Sequence, residues 1–391
     1  MRRIYLDYNS TTPLHPGVLE EMMPFFETKF GNPSSLHFFG RETAAVLDLA
    51  RCRAGKLIGA DVDEIIFTSG GTESNNLALA GIARRLKAAR NHIITTSVEH
   101  SSVYDQCVRL ESEGFNVTYL PVTRQGEISL NDLEQAVTER TALISLILAN
   151  NETGTIMNTN AVREIAKKAG ALLHYDAVQA VGKIPVNVIE LGADLLSFSG
   201  HKIYGPKGSG ALFLRRGVAL QSTFIGGEQE NTRRPGTHNV PAIAGLGKAC
   251  ELAVAELDEY GKHCARLRNR LQSGILKIPD VIINGCLERR IPNTLNASFP
   301  GHYGSSLAVK LDLAGIAVST GSACSAGRNE ESRVLKNMGL SSRELLGALR
   351  FSVGRHTTEK EIDYTVKKLA EIVSAENSIG KKLNIVNLDK L

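Results

Sequence analysis

The 391-residue chain lacks a cysteine framework, a membrane-length apolar run and any block of charge of one sign. Its six cysteines, at positions 52, 107, 250, 264, 286 and 324, are scattered and form no CxxC pair. That spacing argues against a disulfide scaffold and a zinc ribbon, so free thiols are expected. The longest apolar runs, such as "ALISLILA", are too short to span a bilayer. The amino-terminal "MRRIYLDYNSTT" places Asp7 where a secretory leader needs apolar residues, which predicts a cytoplasmic protein with no membrane association. The 45 basic and 41 acidic residues are spread along the chain, and a net charge of +4 without a basic stripe gives no footprint for nucleic acid. No internal repeat or low-complexity tract appears, and only the last dozen residues read as a tail. Small-molecule chemistry is what remains.

Apolar residues make up 42% of the sequence, enough to fill two cores in a chain of this length. Short β-rich runs end in polar or glycine punctuation: "EIIFTS", "HIITTS", "ALISLILAN", "ALLHYD", "LLSFSG" and "GALFLR". Stretches between them, such as 73–88 and 159–170, read as helices. The alternation predicts an α/β fold with a mostly parallel sheet covered on both faces. From about residue 245 the texture changes to long amphipathic helical segments followed by sparse strands ("TLNASF", "LRFSVG"). The expected organisation is a large domain over residues 15–250 and a smaller α+β domain built from residues 1–14 and 251–391.

Ligands of open parallel sheets bind beyond the carboxyl ends of the strands, so the residues after each run matter most. They are Gly70, Gly71 and Thr72, then Glu99 and His100, Asn150 and Asn151, Asp176 and Gln179, and finally Ser199, His201 and Lys202. The turn in "FTSGGTESNNLALAG" joins a strand to a helix start, where free N–H groups and glycines make room for an anion. Its spacing is neither that of a Walker A loop nor GxGxxG, so a nucleotide is not the obvious anion. Asp176 and Lys202, each just past a strand, match the pair that holds pyridoxal 5'-phosphate: a carboxylate for the ring nitrogen and an amine for the aldehyde carbon.

Taken together, "SGGTESNN", "SVEHSSV", "NNETG", "HYDAVQAVGK", "SFSGHKIYGPKG", "RRPGTHNV" and "GSACSAG" closely resemble the cysteine desulfurases of the NifS/IscS type, class V and fold type I pyridoxal-phosphate enzymes. The resemblance runs from "IYLDYNSTTP" to "LRFSVGRHTTEKEID" and implies a large domain with a seven-stranded type of sheet. It further implies that Lys202 bonds to the cofactor and then moves protons at the substrate Cα, that Asp176 keeps the pyridine nitrogen protonated, and that His100 lies over the ring. Gln179 and Asn151 are implied near the phenolic oxygen and the substrate side. Thr72, Ser199 and His201 are implied to hold the phosphate, with Gly71 giving the backbone room to approach. Thr237 is implied to reach the phosphate of the partner subunit in a homodimer, and Arg350 to grip the L-cysteine carboxylate with its guanidinium fork. Ser10 and Gly71 stand where the family commonly has alanine, and neither change removes a chemical group.

Cys324 is the residue that selects a reaction within the family. The run from Ser319 to Ser332 carries no large apolar side chain, two glycines and several charges, which predicts an exposed loop and an accessible thiol. The other five cysteines sit in helical or apolar contexts and read as structural. The implied activity is desulfuration of L-cysteine to L-alanine with a persulfide left on Cys324, for a protein acceptor such as an iron–sulfur scaffold or a tRNA-thiolation protein. Selenocysteine lyase and class V aminotransferase share Lys202 and Asp176 and remain alternatives, as does a non-catalytic sulfur-delivery scaffold.

Overall fold

The computed structural model describes residues 3–320 and 331–388. All six β-rich runs fold as strands of one seven-stranded sheet: β2 (Ile65–Thr68), β3 (His92–Thr96), β5 (Thr141–Ile147), β6 (Leu172–Asp176), β7 (Leu195–Ser199) and β8 (Gly210–Leu214), joined at one edge by β4 (Asn116–Leu120). The order is β2-β8-β7-β6-β5-β3-β4, and only β8 runs against the others. Because β8 is reversed, β2 and β7 on either side of it end at the same rim as β3, β5 and β6.

Side chains alternate across the sheet with the strand period of two, and both sets are apolar. Phe67, Tyr175 and Phe198 face one core, whereas Ile66, Leu195 and Leu212 face the other. Helices Phe38–Ile58 and Asn160–Ala169 contribute to the first, and helices Gly71–Leu86 and Ser101–Ser112 cover the second. A separate core lies around the antiparallel sheet β12-β10-β9, made from β12 (Ala348–Ser352), β10 (Thr294–Ser298) and β9 (Ile282–Asn284). The amino terminus joins it through β1 (Ile4–Tyr5), which pairs in parallel with β11 (Ile316–Ala317). The 36-residue helix Val240–Ile275 supplies Leu246 and Cys250 to the first core and Leu267 and Leu271 to the separate one.

Helix Glu359–Leu388 runs into the stretch read as a tail, whose last three residues lie outside the described ones. No helix among the described residues is long and apolar enough to cross a membrane.

A second device fixes the segment that carries Thr237. Glu230, Asn231 and Thr232 all adopt left-handed backbone, with φ of 51, 55 and 65°, a conformation that β-branched threonine rarely takes. The buried Glu230 carboxylate holds this turn in place. It accepts from Arg51 Nη1 at 2.6 Å, also from Arg51 Nη2, from the Phe67 N–H at 3.0 Å and from His238 Nε2 at 2.7 Å. Burial by itself would raise the pKa, but the hydrogen bonds from His238 and Arg51 outweigh it and bring it down to about 2 from 4.5. A depressed carboxyl pKa gives stability that is fully present above the unfolded value and is lost as the pH falls toward the folded one. Glu230→Gln should therefore cost about 3 kcal/mol at pH 5 and above, and the gap from the parent should shrink to about 1.5 kcal/mol by pH 3. Denaturant unfolding of both proteins over pH 3–7 measures this, and a gap that does not change with pH overturns it.

Candidate active site

A cavity of about 580 Å³ opens where the strands of the large sheet end. Its walls include Gly71 and Thr72 after β2, His100 after β3, Asn151 after β5, Asp176 and Gln179 at the end of β6, Ser199, His201 and Lys202 after β7, and Arg350 from β12. Most of the residues expected at the rim thus converge on one space, and a residue of the smaller sheet closes its far side.

The glycine turn is shaped for close approach. Gly70 has φ 151°, a backbone region that favours glycine, and it precedes the 16-residue helix Gly71–Leu86. A Cβ on Gly71 would lie 2.5 Å from Val178 Cγ2, so the helix start and the cavity wall pack with no space to spare. Ser199 Oγ, buried, has no hydrogen-bond partner among the described residues and stands 3.6 Å from where a Gly70 Cβ would be. A buried hydroxyl of this kind normally has a partner. Together with the positive end of the helix, it suits an anionic group.

Asp176 is buried, yet both carboxylate oxygens are engaged. Oδ2 accepts from Asn75 Nδ2 at 2.8 Å and Oδ1 from the Val178 N–H at 3.0 Å. Asn75 in turn donates to Ser102 Oγ at 2.8 Å, which ties the helix after β2 to the helix after β3. Lys202 ends the tight turn Gly200–Lys202, and its Nζ donates to the main-chain oxygens of Asn9 and Ser10 at 2.5 and 2.7 Å.

The two histidines differ in kind. His100 caps the helix Ser101–Ser112 by accepting from the Ser102 N–H at 3.1 Å through Nδ1, so its neutral ring carries the proton on Nε2. Capping and a place on the cavity wall are met by one residue. Burial, followed by the charge of Lys202, pushes the His201 pKa down to about 4, so its imidazole is neutral near pH 7. Glu99 is the least solvated carboxyl of the wall: burial raises it to about 8 although Thr96 and the Ile147 N–H both donate to it.

Arg350 is not at the surface. Only 2% exposed, it donates to Asp7 Oδ1 at 2.8 Å and to the Asn151 carbonyl at 3.0 Å. Asn151 Oδ1, facing the same space, has no partner among the described residues. Gln179 is tied at both ends, donating to the Asn9 carbonyl at 2.9 Å and accepting from the buried Lys183. Gly70 and Asn150 do not line this cavity, and Thr237 is not brought to it. That threonine is exposed in a shallow groove with Ile225, Gly227 and Arg234.

Cys324 lies outside the described residues. The flanking residues on both sides are anchored at the site: Ser319 exchanges main-chain hydrogen bonds with Arg350 at 2.7 and 3.1 Å, and Ser332 Oγ donates to Glu152 at 2.6 Å. Arg333 then reaches the Ser97 and Glu99 carbonyls and stacks over the Tyr104 ring at 3.8 Å. Of the cysteines read as structural, Cys107, Cys250 and Cys264 are buried, and burial raises the last two to about 12. Cys52 does not fit that reading. It is exposed, because it falls on the outer face of helix Phe38–Ile58.

Asn9, Asn75, Val178 and Lys183 were not singled out by sequence reasoning. Val178 and Lys183 stand inside "HYDAVQAVGK" and Asn75 inside "SGGTESNN", one turn after Gly71, so helical spacing from the glycine turn was the signal available for Asn75. For pyridoxal 5'-phosphate the donor set fits: an unpartnered hydroxyl beside a helix start, an oriented buried carboxylate, and an amine on the opposite wall.

The aminotransferase class-V family matches residues 4–365. A protein named cysteine desulfurase IscS, from Dictyoglomus turgidum, is 48% identical over 380 residues, covering 97% of this chain and 96% of that protein. A solved NifS-like protein is 42% identical with a TM-score of 0.90, over 95% of this chain and 99% of that one. A structure of SspA in complex with cysteine is 34% identical, with a TM-score of 0.81 over 91% of this chain and 100% of that one. With a match over residues 4–365, the chain belongs to the aminotransferase class-V family.

Proposed function

We propose that the chain is a pyridoxal-phosphate-dependent cysteine desulfurase, which converts L-cysteine to L-alanine and leaves the sulfur as a persulfide on Cys324. The observation that carries this reading is the convergence of Asp176, Lys202, His100 and Arg350 on one cavity. Relatives named cysteine desulfurase and a solved relative in complex with cysteine support the substrate. When bound, pyridoxal phosphate supplies an electron sink that makes the substrate Cα proton removable.

The chain's own groups divide the remaining work. Asp176, fixed by Asn75 and the Val178 N–H, holds a proton on the ring nitrogen. Thr72, Ser199 and His201 hold the phosphate, and Gly71 leaves the backbone room beside it. His100 presents its ring to the cofactor face, and Gln179 and Asn151 orient the phenolic oxygen and the substrate. Arg350 gains a second carboxylate, that of the substrate, beside Asp7. Lys202 would hold the cofactor through its aldehyde and, with its amine free, would take the substrate Cα proton. Holding that amine at the reacting carbon is worth about 7–11 kcal/mol of avoided entropy cost.

Sulfur transfer is then a displacement at the substrate sulfur. The Cys324 thiolate attacks, an S–S bond forms as the C–S bond breaks, and the freed carbon takes a proton, so that cysteine plus thiol gives alanine plus persulfide. A thiol of pKa about 8.5 is only a few per cent thiolate near neutral pH, so attack needs a base or a depressed pKa. The protein acts as a cytoplasmic homodimer in which Thr237 completes the partner's phosphate site, since Thr237 is exposed and away from its own chain's cavity. The acceptor is a protein such as an iron–sulfur scaffold, as the IscS names of the relatives suggest.

Two substitutions test the reading. Cys324→Ser should bind cofactor, change its absorption on addition of cysteine, and release alanine only at background rate, because a hydroxyl is a poor nucleophile. Lys202→Ala should lose about 10²–10⁴-fold in alanine formation, the usual worth of a positioned proton-transfer group. Alanine assays under reductant, with mass spectrometry of the loop peptide for an added sulfur, decide both. Parent-like alanine release from either variant, or a persulfide on another cysteine, overturns the assignment.

A further inference from the structure

Asn9 stands inside the amino-terminal stretch "IYLDYNSTTP", but the sequence by itself assigns it no role. It is 1% exposed and lies where the amino-terminal segment passes between the large sheet and the smaller one. Every polar group it owns is used. Its N–H donates to Ser352 Oγ at 2.9 Å, and its Nδ2 donates to Thr294 Oγ1 at 2.8 Å and to the Asn151 carbonyl at 3.2 Å. Its Oδ1 accepts from Asn293 Nδ2 at 2.9 Å and from Lys183 Nζ at 3.2 Å. Its main-chain oxygen, fixed by all of these, accepts from Lys202 Nζ and from Gln179 Nε2.

Two carbonyl oxygens at 2.5 and 2.7 Å are good acceptors for an ammonium group and poor company for a neutral amine lone pair. Resting on the reading that Lys202 is the reacting amine, we propose that Asn9 is a positioning residue. Its main-chain oxygen and that of Ser10 cradle the protonated Lys202 amine whenever it is released from the cofactor. The side chain of Asn9 does not touch the reacting atoms. It acts by locking that oxygen in place, and Lys183 is the buried cation-forming group that closes the lock from behind. Burial, and next the charge of Lys202, hold the Lys183 pKa well below its ordinary value, so a second full charge beside Lys202 is disfavoured.

The charged and titratable groups near Lys202 include Lys183 and His201, both of which feel its charge, and Asp176 from β6 and Arg350 from β12 on the same cavity wall. Asp7 is paired with Arg350 and Asp176 with Asn75.

The test begins with holoenzyme. Hydroxylamine takes up the cofactor aldehyde as its oxime and frees the Lys202 amine, which is then labelled with trace acetic anhydride over a range of pH. Acetylation of Lys202 is quantified by mass spectrometry for the parent, Asn9→Ala and Asn293→Ala. Loss of the cradle removes hydrogen bonds that favour the charged amine, so the labelling midpoint of Asn9→Ala should fall by about one pH unit. Asn293→Ala, which removes one of the two donors to Asn9 Oδ1, should shift it the same way by less. In turnover, the acid limb of kcat should move down with the midpoint while that of kcat/KM stays, because only kcat reports the amine in its released state. Midpoints equal to the parent's in both variants overturn the proposal. If Asn9→Ala does not fold, an unshifted midpoint in Asn293→Ala does so alone. Full labelling of Lys202 before hydroxylamine is added overturns the assignment of Lys202 itself, and this proposal with it.

Discussion

The site depends on one constraint: the amino-terminal residues 7–12 must run between the two sheets and hydrogen-bond to both. Asp7 bridges to Ser352 and pairs with Arg350, while Thr12 bonds to the His201 carbonyl through both its N–H and its hydroxyl. Lys202 and Asp176 belong to the large sheet and Arg350 to the smaller one. This strip of chain, with the Arg350 bond to the Asn151 carbonyl, sets the spacing between the groups that would face the cofactor and the group that would face the substrate carboxylate. Contacts this distant in sequence also carry a large closure entropy, repaid only when both sheets are already formed.

Electrostatically the cavity keeps few charges and isolates them. Glu99 and Lys183 are buried so deeply that their charged forms are disfavoured, and His201 is held neutral near pH 7. Asp176 and Arg350 are buried as well, but each has well-placed partners that replace water: Asn75 and the Val178 N–H for the one, Asp7 and the Asn151 carbonyl for the other. Buried charges persist on those terms. Asp176 and Arg350 are thus oriented charges on the wall, held by fixed dipoles in a setting where water competes weakly.

The central strands and the polar residues after them were legible because both signals are local. Five apolar runs ended in chemically distinctive residues, and the sheet, with the sixth run reversed as β8, collected most of those residues at one rim. Edge strand β4, "NVTYL", was not legible: it is half exposed and begins at an exposed asparagine, so it never forms a run of buried β-formers. Asn9 and Lys183 escaped for a different reason: they stand inside quoted motifs, but the partners of Asn9 lie 142 to 343 residues away and Lys183 has only Gln179 close by in sequence, so no local spacing reveals what they bind. The end of the carboxyl-terminal helix was read as a tail because its charged and small residues dilute the apolar pattern there.

The helix Val240–Ile275 is also a mechanical element. At 1.5 Å per residue its 36 residues make a rod about 54 Å long, seated in one core at its start and in the other at its end. Between the two seats lies Gly261, where an added Cβ would meet nothing within 4 Å. Packing does not require a glycine there, and glycine weakens a helix interior by about 1 kcal/mol relative to alanine. A bend at Gly261 would tilt the smaller core, with Arg350 on it, through an arc set by the lever arm from Gly261 to the cavity.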